Sequence, residues 1–161
     1  MPYQTWQVFA PYHYLTRELN RSAHCFGLAI DQQVVAFAGI LHRPNSRGPN
    51  NLKGVSRLVT LPDWQGLGLA MMLVDELGAA YKARGFHLHT YPAHPGLIRT
   101  FQKSPTWRQT MQSTKNLGNP SSGGNSSIRY GGFGGRPNAV FDYVGPSMPV
   151  SAADRLIGAT T

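Results

Sequence analysis

Between residues 55 and 91 the chain carries a strand, a glycine-bearing turn, a helix and a second strand in direct succession. Residues 55–61 and 86–91 have the composition of strands, and residues 65–84 place apolar side chains at helical spacing. Gly85 is the predicted C-cap of that helix. Strand, helix and strand at this spacing predict a β-α-β unit in which the two strands are parallel neighbours.

The turn of this unit, residues 65–70, has the chemistry of an anion-binding site. Gly66 and Gly68 lie where the strand ends and the helix begins. The first N–H groups of a helix have no internal acceptor, and the helix dipole adds partial positive charge at that end. Glycine also removes the Cβ atoms that would keep a phosphate away from those amides. The turn therefore predicts a cradle for a phosphate group.

Two kinds of phosphate-binding turn are excluded by the residues that follow. A P-loop requires Gly-Lys-Ser/Thr, but Leu69 and Ala70 come after Gly68. A dinucleotide-binding turn requires a third glycine near Met71 and an acidic residue about twenty positions later, and neither is present. The turn instead matches the pattern Gln/Arg-x-x-Gly-x-Gly/Ala, with Gln65, Gly68 and Ala70 in register.

That pattern is the pyrophosphate-binding motif of GNAT acyltransferases, and the flanking residues extend the resemblance. Residues 57–62 resemble the GNAT strand whose main chain pairs with pantetheine, followed by a bend that contains proline. The strand and short helix downstream resemble the second half of the GNAT core, and residues 141–145 resemble its closing strand. The resemblance covers residues 6–145 as architecture and is specific over residues 55–95.

The resemblance implies an α/β (α+β) GNAT fold, with a central mixed, mostly antiparallel sheet and a β-α-β acyl-CoA-binding core flanked by helices. It also implies a CoA-dependent N-acyltransferase that uses acetyl-CoA or another acyl-CoA as co-substrate. The backbone of Leu58, Val59 and Leu61 is expected to hold pantetheine, and the two strands are expected to splay apart to admit the thioester. The residues expected to hold the pyrophosphate are Gln65, Gly66, Leu67, Gly68, Leu69 and Ala70.

Further elements are predicted on both sides of this unit. Residues 9–25 predict a helix, because Tyr12, Leu15, Leu19 and Ala23 stand at helical spacing. The other predicted elements are a hairpin of strands 26–30 and 34–41, a loop over 42–54, a short helix from Pro95 to Lys103, and strands over 106–114 and 139–144.

Size and composition predict one domain, residues 1–145, followed by a loosely held tail, residues 146–161. Residues 116–138 are dominated by Gly, Ser and Asn and predict a long flexible loop within the domain. Cys25 is the single cysteine, which excludes an internal disulfide and a multi-cysteine zinc site, and no metal is expected.

Neither a secretion signal nor a membrane span is predicted. The longest apolar run, residues 34–41, suits a buried strand and is far too short to cross a bilayer. The first residues have neither the basic start nor the apolar stretch of a signal peptide. We therefore expect a cytoplasmic location (the host cytoplasm if the protein is phage-encoded) and no membrane partner.

The net charge of +8, with a pI near 10.1, is the most informative bulk property. No acidic residue lies between Glu76 and Asp142, although basic residues continue through that interval. Such a field attracts polyanions and steers their approach. CoA needs only a few positive groups, so the excess fits DNA or another polyanion as a partner. A basic surface that serves only solubility is the alternative.

The usual GNAT acid and base are not found at their expected places. An amine nucleophile must lose a proton, and the departing thiolate must gain one. Many GNAT enzymes carry a glutamate before the turn and a tyrosine in the short helix after the second strand. Here residues 51–57 contain no acid, and residues 95–103 offer Phe101 but no tyrosine.

Histidine is the expected substitute because it titrates near neutrality. His94, at the exit of the second strand, is the first candidate base and His89 is the second. Tyr91 or Ser104 could protonate the thiolate. Three alternatives stand beside these roles: His94 as a helix cap, the strand histidines as a polar cluster, and catalysis by proximity with a water chain.

The predicted acceptor is an amine on a modified nucleobase in nucleic acid. The segment with His13 and Tyr14, both predicted to bind the acceptor, faintly resembles phage Mom-type DNA-modification proteins, which are GNAT relatives. Arg129 and Arg136 could contact phosphates, and Tyr130 could stack on a base. Two alternatives are an acetyltransferase for a small-molecule or peptide amine, and a non-catalytic nucleic-acid-binding protein with the GNAT fold.

Overall fold

The computed structural model describes residues 1–13, 16–44, 50–113 and 138–158. Its described strands form one six-stranded sheet in the order β1-β2-β3-β4-β6-β5. The strands are β1 (His24–Ile30), β2 (Gln33–Arg43), β3 (Leu52–Thr60), β4 (His87–Thr90), β5 (Trp107–Ser113) and β6 (Asn138–Tyr143). β3 and β4 pair in parallel, and every other neighbouring pair is antiparallel. The predicted mixed, mostly antiparallel sheet and the parallel β-α-β unit are confirmed.

The hairpin of β1 and β2 turns at two residues in the left-handed region. Asp31 and Gln32 have φ values of 47° and 67°, and Ile30 pairs directly with Gln33. Two positive φ angles in a two-residue loop match the twist of the flanking strands. This confirms the predicted hairpin. β3 differs at its start, because it begins at Leu52, within the segment predicted as a loop.

The predicted helix over residues 9–25 is wrong. Among the described residues of that part of the chain, helical structure is limited to α1 (Trp6–Phe9) between two 3-10 turns, Tyr3–Thr5 and Ala10–Tyr12. Pro11 has no N–H to continue a helix. Further on, the side chain of Asn20 accepts a hydrogen bond from the amide of Ser22 at 2.9 Å. Such local side-chain bonds compete with helix formation, and the chain enters β1 instead.

Two of the described helices pack on one face of the sheet, and a third packs on the first of them. α2 (Leu69–Ala83) starts four residues after the predicted start of its helix, and α3 (Pro95–Lys103) has the predicted bounds. The expectation of a loosely held tail is corrected, because α4 (Val150–Ile157) packs on α2. Ala153 of α4 is fully buried, and Asp154 forms an ion pair with Arg84 at 3.3 Å.

The core is divided into two clusters by the sheet. The larger cluster joins α2, α3 and the sheet, with Leu77, Leu88 and Phe141 among its fully buried side chains. The smaller cluster lies on the opposite face over β1, β2 and β3, and it contains Trp6 and Phe9. Its members are Trp6, Phe9, Leu19, Cys25, Phe37 and Val59.

β3 contains one extra residue where it pairs with β2. Gly39 is opposite Arg57 and the next residue, Ile40, is opposite Val55, so Ser56 has no partner of its own. Its hydroxyl donates to the carbonyl of Gly39 at 2.9 Å. An extra residue of this kind is a β-bulge, which bends the strand and increases its twist. The bulge immediately follows the last residue of β3 that pairs with β4.

None of the helices in the described ranges has the length and apolar character that a membrane span requires.

Candidate active site

The turn before α2 has the backbone that the sequence predicted. Gly66 and Gly68 have φ values of 81° and 76°, which L side chains rarely adopt. A Cβ atom placed on either glycine would meet no other atom within 4 Å, so the space beside them is open. Gly68 precedes the first residue of α2, and Met72 donates to the Gly68 carbonyl at 3.0 Å. The amides before Met72 therefore have no intrahelical acceptor, and the residues just before the helix, Gly66 to Gly68, are exposed.

Hydrogen bonds hold this turn at the end of β3. The amide of Leu61 donates to the carbonyl of Val35 at 2.9 Å, which joins the strand exit to β2. The side-chain amide of Gln65 donates to the carbonyl of Thr60 at 3.1 Å, so Gln65 closes the bend through Pro62. The position of the turn is thus fixed by main-chain and side-chain contacts before any ligand binds.

β3 and β4 separate beside the bulge. They pair from Leu52 with His87 to Val55 with Thr90, where β4 ends. β3 continues through Ser56 to Thr60 with β2 on one side and no described strand on the other. This leaves a gap between the strands that opens towards the glycine turn. The backbone of Leu58, Val59 and Leu61, predicted to hold pantetheine, lies along or just beyond this part of β3.

Of the candidate bases, His94 has a structural task. It precedes α3, and its Nδ1 accepts the amide of Gly96 at 3.2 Å, so its ring caps the helix. Ser104 follows the same helix, and its hydroxyl lies 2.9 Å from that of Thr106. Thr106 in turn donates to Asp75 on α2 at 2.9 Å. These contacts give both side chains, His94 and Ser104, a structural role.

His89 and Tyr91 project from the opposite face of β4. Leu88 packs towards α2, and successive side chains of a strand alternate, so His89 and Tyr91 face away from that helix. Their ring centroids are 6.3 Å apart. The guanidinium of Arg43 lies 5.5 Å from the Tyr91 ring, and a Cβ on Gly54 would come within 3.0 Å of both side chains. The glycine therefore permits Arg43 to reach across β3 to Tyr91.

Asp142 is a residue of this face that the sequence analysis did not single out. It is directly opposite His89 in the antiparallel pair of β4 and β6, and its Oδ1 lies 3.4 Å from His89 Nε2. His87 Nδ1 is 3.7 Å from the same oxygen, and Arg108 Nη2 is 3.6 Å from Oδ2. The one available signal was that Asp142 is the first acidic residue after Glu76.

The Asp142 carboxyl is buried but ionised. Its side chain is 9% exposed, and burial alone favours the protonated form. The contact with His89 and the charges of His87 and Arg108 outweigh burial and lower the pKa of Asp142 below its usual range. We call His87, His89, Asp142 and Arg108 the polar cluster. It combines an anion with a neighbouring imidazole, as proton-transfer sites require.

The predicted acceptor residues fall in two groups. His13 lies edge-on to Trp6, and burial together with the charge of Arg57 lowers the pKa of His13 to about 4, despite a hydrogen bond to the Thr16 carbonyl. Its imidazole is therefore neutral at physiological pH. The other predicted residues lie outside the described ranges: Tyr14, Arg129, Tyr130 and Arg136. Within those ranges no group of three or more His, Cys, Asp or Glu side chains is arranged to hold a metal ion.

A family model described as the acetyltransferase (GNAT) family matches residues 1–104. No curated protein matches the chain in sequence. Among solved structures, the ribosomal-protein-S18-alanine N-acetyltransferase of Escherichia coli is similar, with a TM-score of 0.61, 15% identity, and 92% of each chain covered.

Two further structures were solved with ligands. A Bacillus subtilis acetyltransferase in complex with CoA has a TM-score of 0.62 at 10% identity, covering 89% of this chain and 93% of its own. A GNAT acetyltransferase from Elizabethkingia anophelis with acetyl-CoA bound has a TM-score of 0.59 at 12% identity, covering 89% and 90%. At these identities the likeness shows the fold, and none of these matches supports a relationship with Mom-type proteins.

Proposed function

The chain belongs to the acetyltransferase (GNAT) family, and from that premise we propose that it transfers an acyl group from acyl-CoA to the nitrogen of an amine. The observation that carries the proposal is the exposed turn with two left-handed glycines, Gly66 and Gly68, at the N-terminus of α2 and beside the gap between β3 and β4. Acetyl-CoA is the donor to test first, since a similar structure binds it.

In the proposed complex the donor lies along β3 and ends at the turn. The pyrophosphate accepts hydrogen bonds from the amides of residues 66–71, where the helix dipole adds to the attraction. The pantetheine amides pair with the part of β3 that follows Ser56, because its main chain has no described strand on that side. The thioester then lies at the gap, on the face of the sheet that carries the side chains of Tyr91 and His89.

The reaction needs one proton acceptor and one proton donor. The amine nitrogen attacks the thioester carbonyl, an N–C bond forms, and the C–S bond breaks as the thiolate leaves with the electron pair. We assign the nitrogen's proton to His89 and the thiolate's proton to Tyr91, whose rings lie together on the face that borders the gap. His94 and Ser104 are less suited, because one caps α3 and the other bonds to Thr106.

Binding and turnover test the proposal separately. Acetyl-CoA that binds only the folded state must raise the melting temperature, by an amount that grows with its concentration. Release of CoA thiol in the presence of an amine then reports transfer. No thermal shift at millimolar acetyl-CoA would contradict the proposal. A shift without thiol release from any amine in a broad panel would instead favour the non-catalytic alternative.

Two acceptor classes remain candidates, each with its own support. The net charge of +8 favours an amine carried by nucleic acid. The similar E. coli enzyme, named for an alanine of a ribosomal protein, favours a peptide amine. Binding to DNA that weakens steeply as salt rises would support the first class. Absence of DNA binding at low salt, with acetylation of peptides, would establish the second.

A further inference from the structure

The polar cluster contains a buried carboxylate oxygen that lacks a hydrogen bond. Asp142 Oδ1 is shielded from solvent and has no partner in hydrogen-bond geometry, although His89 Nε2 is only 3.4 Å away. A buried, ionised oxygen in this condition is costly, and native proteins rarely keep one without a reason. The oxygen is therefore near enough to accept a hydrogen bond from His89, although the present geometry does not form one.

We infer that Asp142 is a positioning residue that orients His89 and stabilises its protonated form during acyl transfer. The inference rests on the proposed function. With Nε2–H directed at Asp142 Oδ1, the Nδ1 of His89 is the nitrogen left to take the proton of the amine. Once protonated, His89 carries a positive charge beside the carboxylate, and the contact becomes a charge-assisted hydrogen bond. Catalytic hydrogen bonds are often long before substrate binds and shorten in the reacting complex.

Among the side chains around Asp142, His89 makes the closest contact with Oδ1. Arg108 lies at the other oxygen, Oδ2, and its side chain is 68% exposed. His87 also points at Oδ1, but from 3.7 Å and with a side chain 61% exposed, whereas that of His89 is 23% exposed. Among the described residues, Tyr91 also contacts His89 on this face, and the charge of Arg43 lies beyond it. His89 is thus the most buried imidazole in contact with the carboxylate.

Strand register makes this pairing rigid. His89 and Asp142 are direct cross-strand partners, and Asp142 is also the direct partner of Arg108 on β5. Three neighbouring strands therefore hold the imidazole, the carboxylate and the guanidinium in one row. A side chain on a paired strand is positioned more closely than one on a loop, which suits a group that must present one nitrogen to substrate.

The first experiment replaces the carboxylate by an amide of the same shape, Asp142→Asn. We expect kcat to fall roughly ten- to a hundredfold, as when an orienting partner of a functional histidine is lost. The dissociation constant for acetyl-CoA should not change, because Asp142 lies outside the turn. The midpoint of the acid limb of the pH–rate profile should move to lower pH, because the carboxylate no longer favours imidazolium. An unchanged rate and profile would overturn the inference.

A double-variant cycle tests whether Asp142 acts through His89. In a His89→Gln background the further change Asp142→Asn should cost little additional rate, because the group it positions is already gone. Additive losses would overturn the inference and indicate a separate effect of Asp142. Melting temperatures of all variants identify any loss that comes from unfolding.

A measurement on the unaltered protein keeps the inference testable even if the variants do not fold. Two-dimensional ¹H–¹⁵N spectra of the imidazole rings distinguish the two neutral tautomers. We expect His89 to carry its proton on Nε2, facing Asp142, and a proton on Nδ1 would overturn the inference. The tautomer measurement does not depend on turnover. Failure to bind acetyl-CoA would contradict the proposed function without changing the result of the tautomer measurement.

Discussion

The glycine turn follows β3 and the polar cluster spans β4, β6 and β5, and the two are built by different means. The turn is contiguous, residues 65–70, and its proposed binding of an anion rests on main-chain amides and two glycines with positive φ. The cluster combines side chains of β4, β5 and β6, which sheet pairing brings together. A site built from backbone amides tolerates changes of side chain but is lost when the φ angles change. A site built from side chains is lost when those side chains change.

The largest expected effect separates rate from binding. His89→Gln should lower kcat by roughly 10²–10⁴-fold, the usual loss when a general base is removed, with little change in acetyl-CoA affinity. His94→Asn is the matched control, because asparagine also caps helices well and should preserve α3. Steady-state kinetics and calorimetry provide both numbers. A greater loss of rate in His94→Asn than in His89→Gln would reverse the assignment of the base.

The second prediction uses the fact that α2 has a similar glycine at each end. Gly68 and Gly85 both have a φ of 76° and open space where a Cβ would stand. Alanine at either position costs about 1–2 kcal/mol of backbone strain. Only Gly68→Ala places a methyl group beside the amides proposed to hold the pyrophosphate, so only that variant should weaken acetyl-CoA binding, by roughly tenfold or more.

Titration calorimetry with acetyl-CoA decides between the two ends of α2. Equal loss of affinity in Gly68→Ala and Gly85→Ala would mean that strain in the helix, and not access to its first amides, controls binding. This result would contradict the proposal that the main-chain amides of the turn bind acetyl-CoA.

The third prediction concerns the helix that connects the two regions. α2 begins at the turn, and its Gly78 packs against the ring of Tyr143, the residue after Asp142 on β6. A Cβ on Gly78 would overlap that ring, so Gly78→Ala should lower the free energy of unfolding by about 1–2 kcal/mol despite the better helix propensity of alanine. Denaturant unfolding measures the change. A stabilised variant would show that α2 can move away from the Tyr143 ring without losing unfolding free energy.

The smallest expected effect belongs to a histidine outside both regions. The pKa of His13 is lowered to about 4 from 6.5 by burial and by the charge of Arg57, so folding favours its neutral form. Its contribution to stability is full above pH 6.5 and is lost as pH falls towards 4. Because the ring is partly exposed, we expect a contribution of about 1 kcal/mol or less.

Comparison of unfolding at pH 7 and pH 5 tests this contribution. The difference in unfolding free energy between the two conditions should be smaller in His13→Gln than in the unaltered protein. An identical difference would mean that His13 is as free to protonate in the folded chain as in the unfolded one.

Local patterns were sufficient to predict the β-α-β unit and the turn. The helical stripe of α2, the left-handed Gly85 and the two glycines of the turn are encoded by neighbouring residues. The prediction of a helix over residues 9–25 was wrong because Pro11 and the local hydrogen bonds around Asn20 outweigh the helical spacing of apolar residues. α4 was missed because a helix of eight residues is stabilised by packing on α2 more than by its own sequence.

The polar cluster could not be predicted in the same way. Strand alternation predicts that His87 and His89 share one face of β4, but their carboxylate partner is Asp142, far along the chain. The contact exists because β6 inserts between β4 and β5, and sheet order is set by the whole core. His94 looked like the better base from its place at a strand exit. Its role as a cap became clear only from the hydrogen bond to Gly96.

The extra residue at Ser56 makes the length of β3 matter more than its composition. In a regular strand Val55 and Val59 would face the same way, because side chains alternate with a period of two. Here Val55 packs with α2 and Val59 with the smaller core cluster. Deleting one residue at the bulge would restore simple alternation and turn either segment inside out. The extra residue is therefore what keeps Val55 and Val59 buried on opposite faces of the sheet.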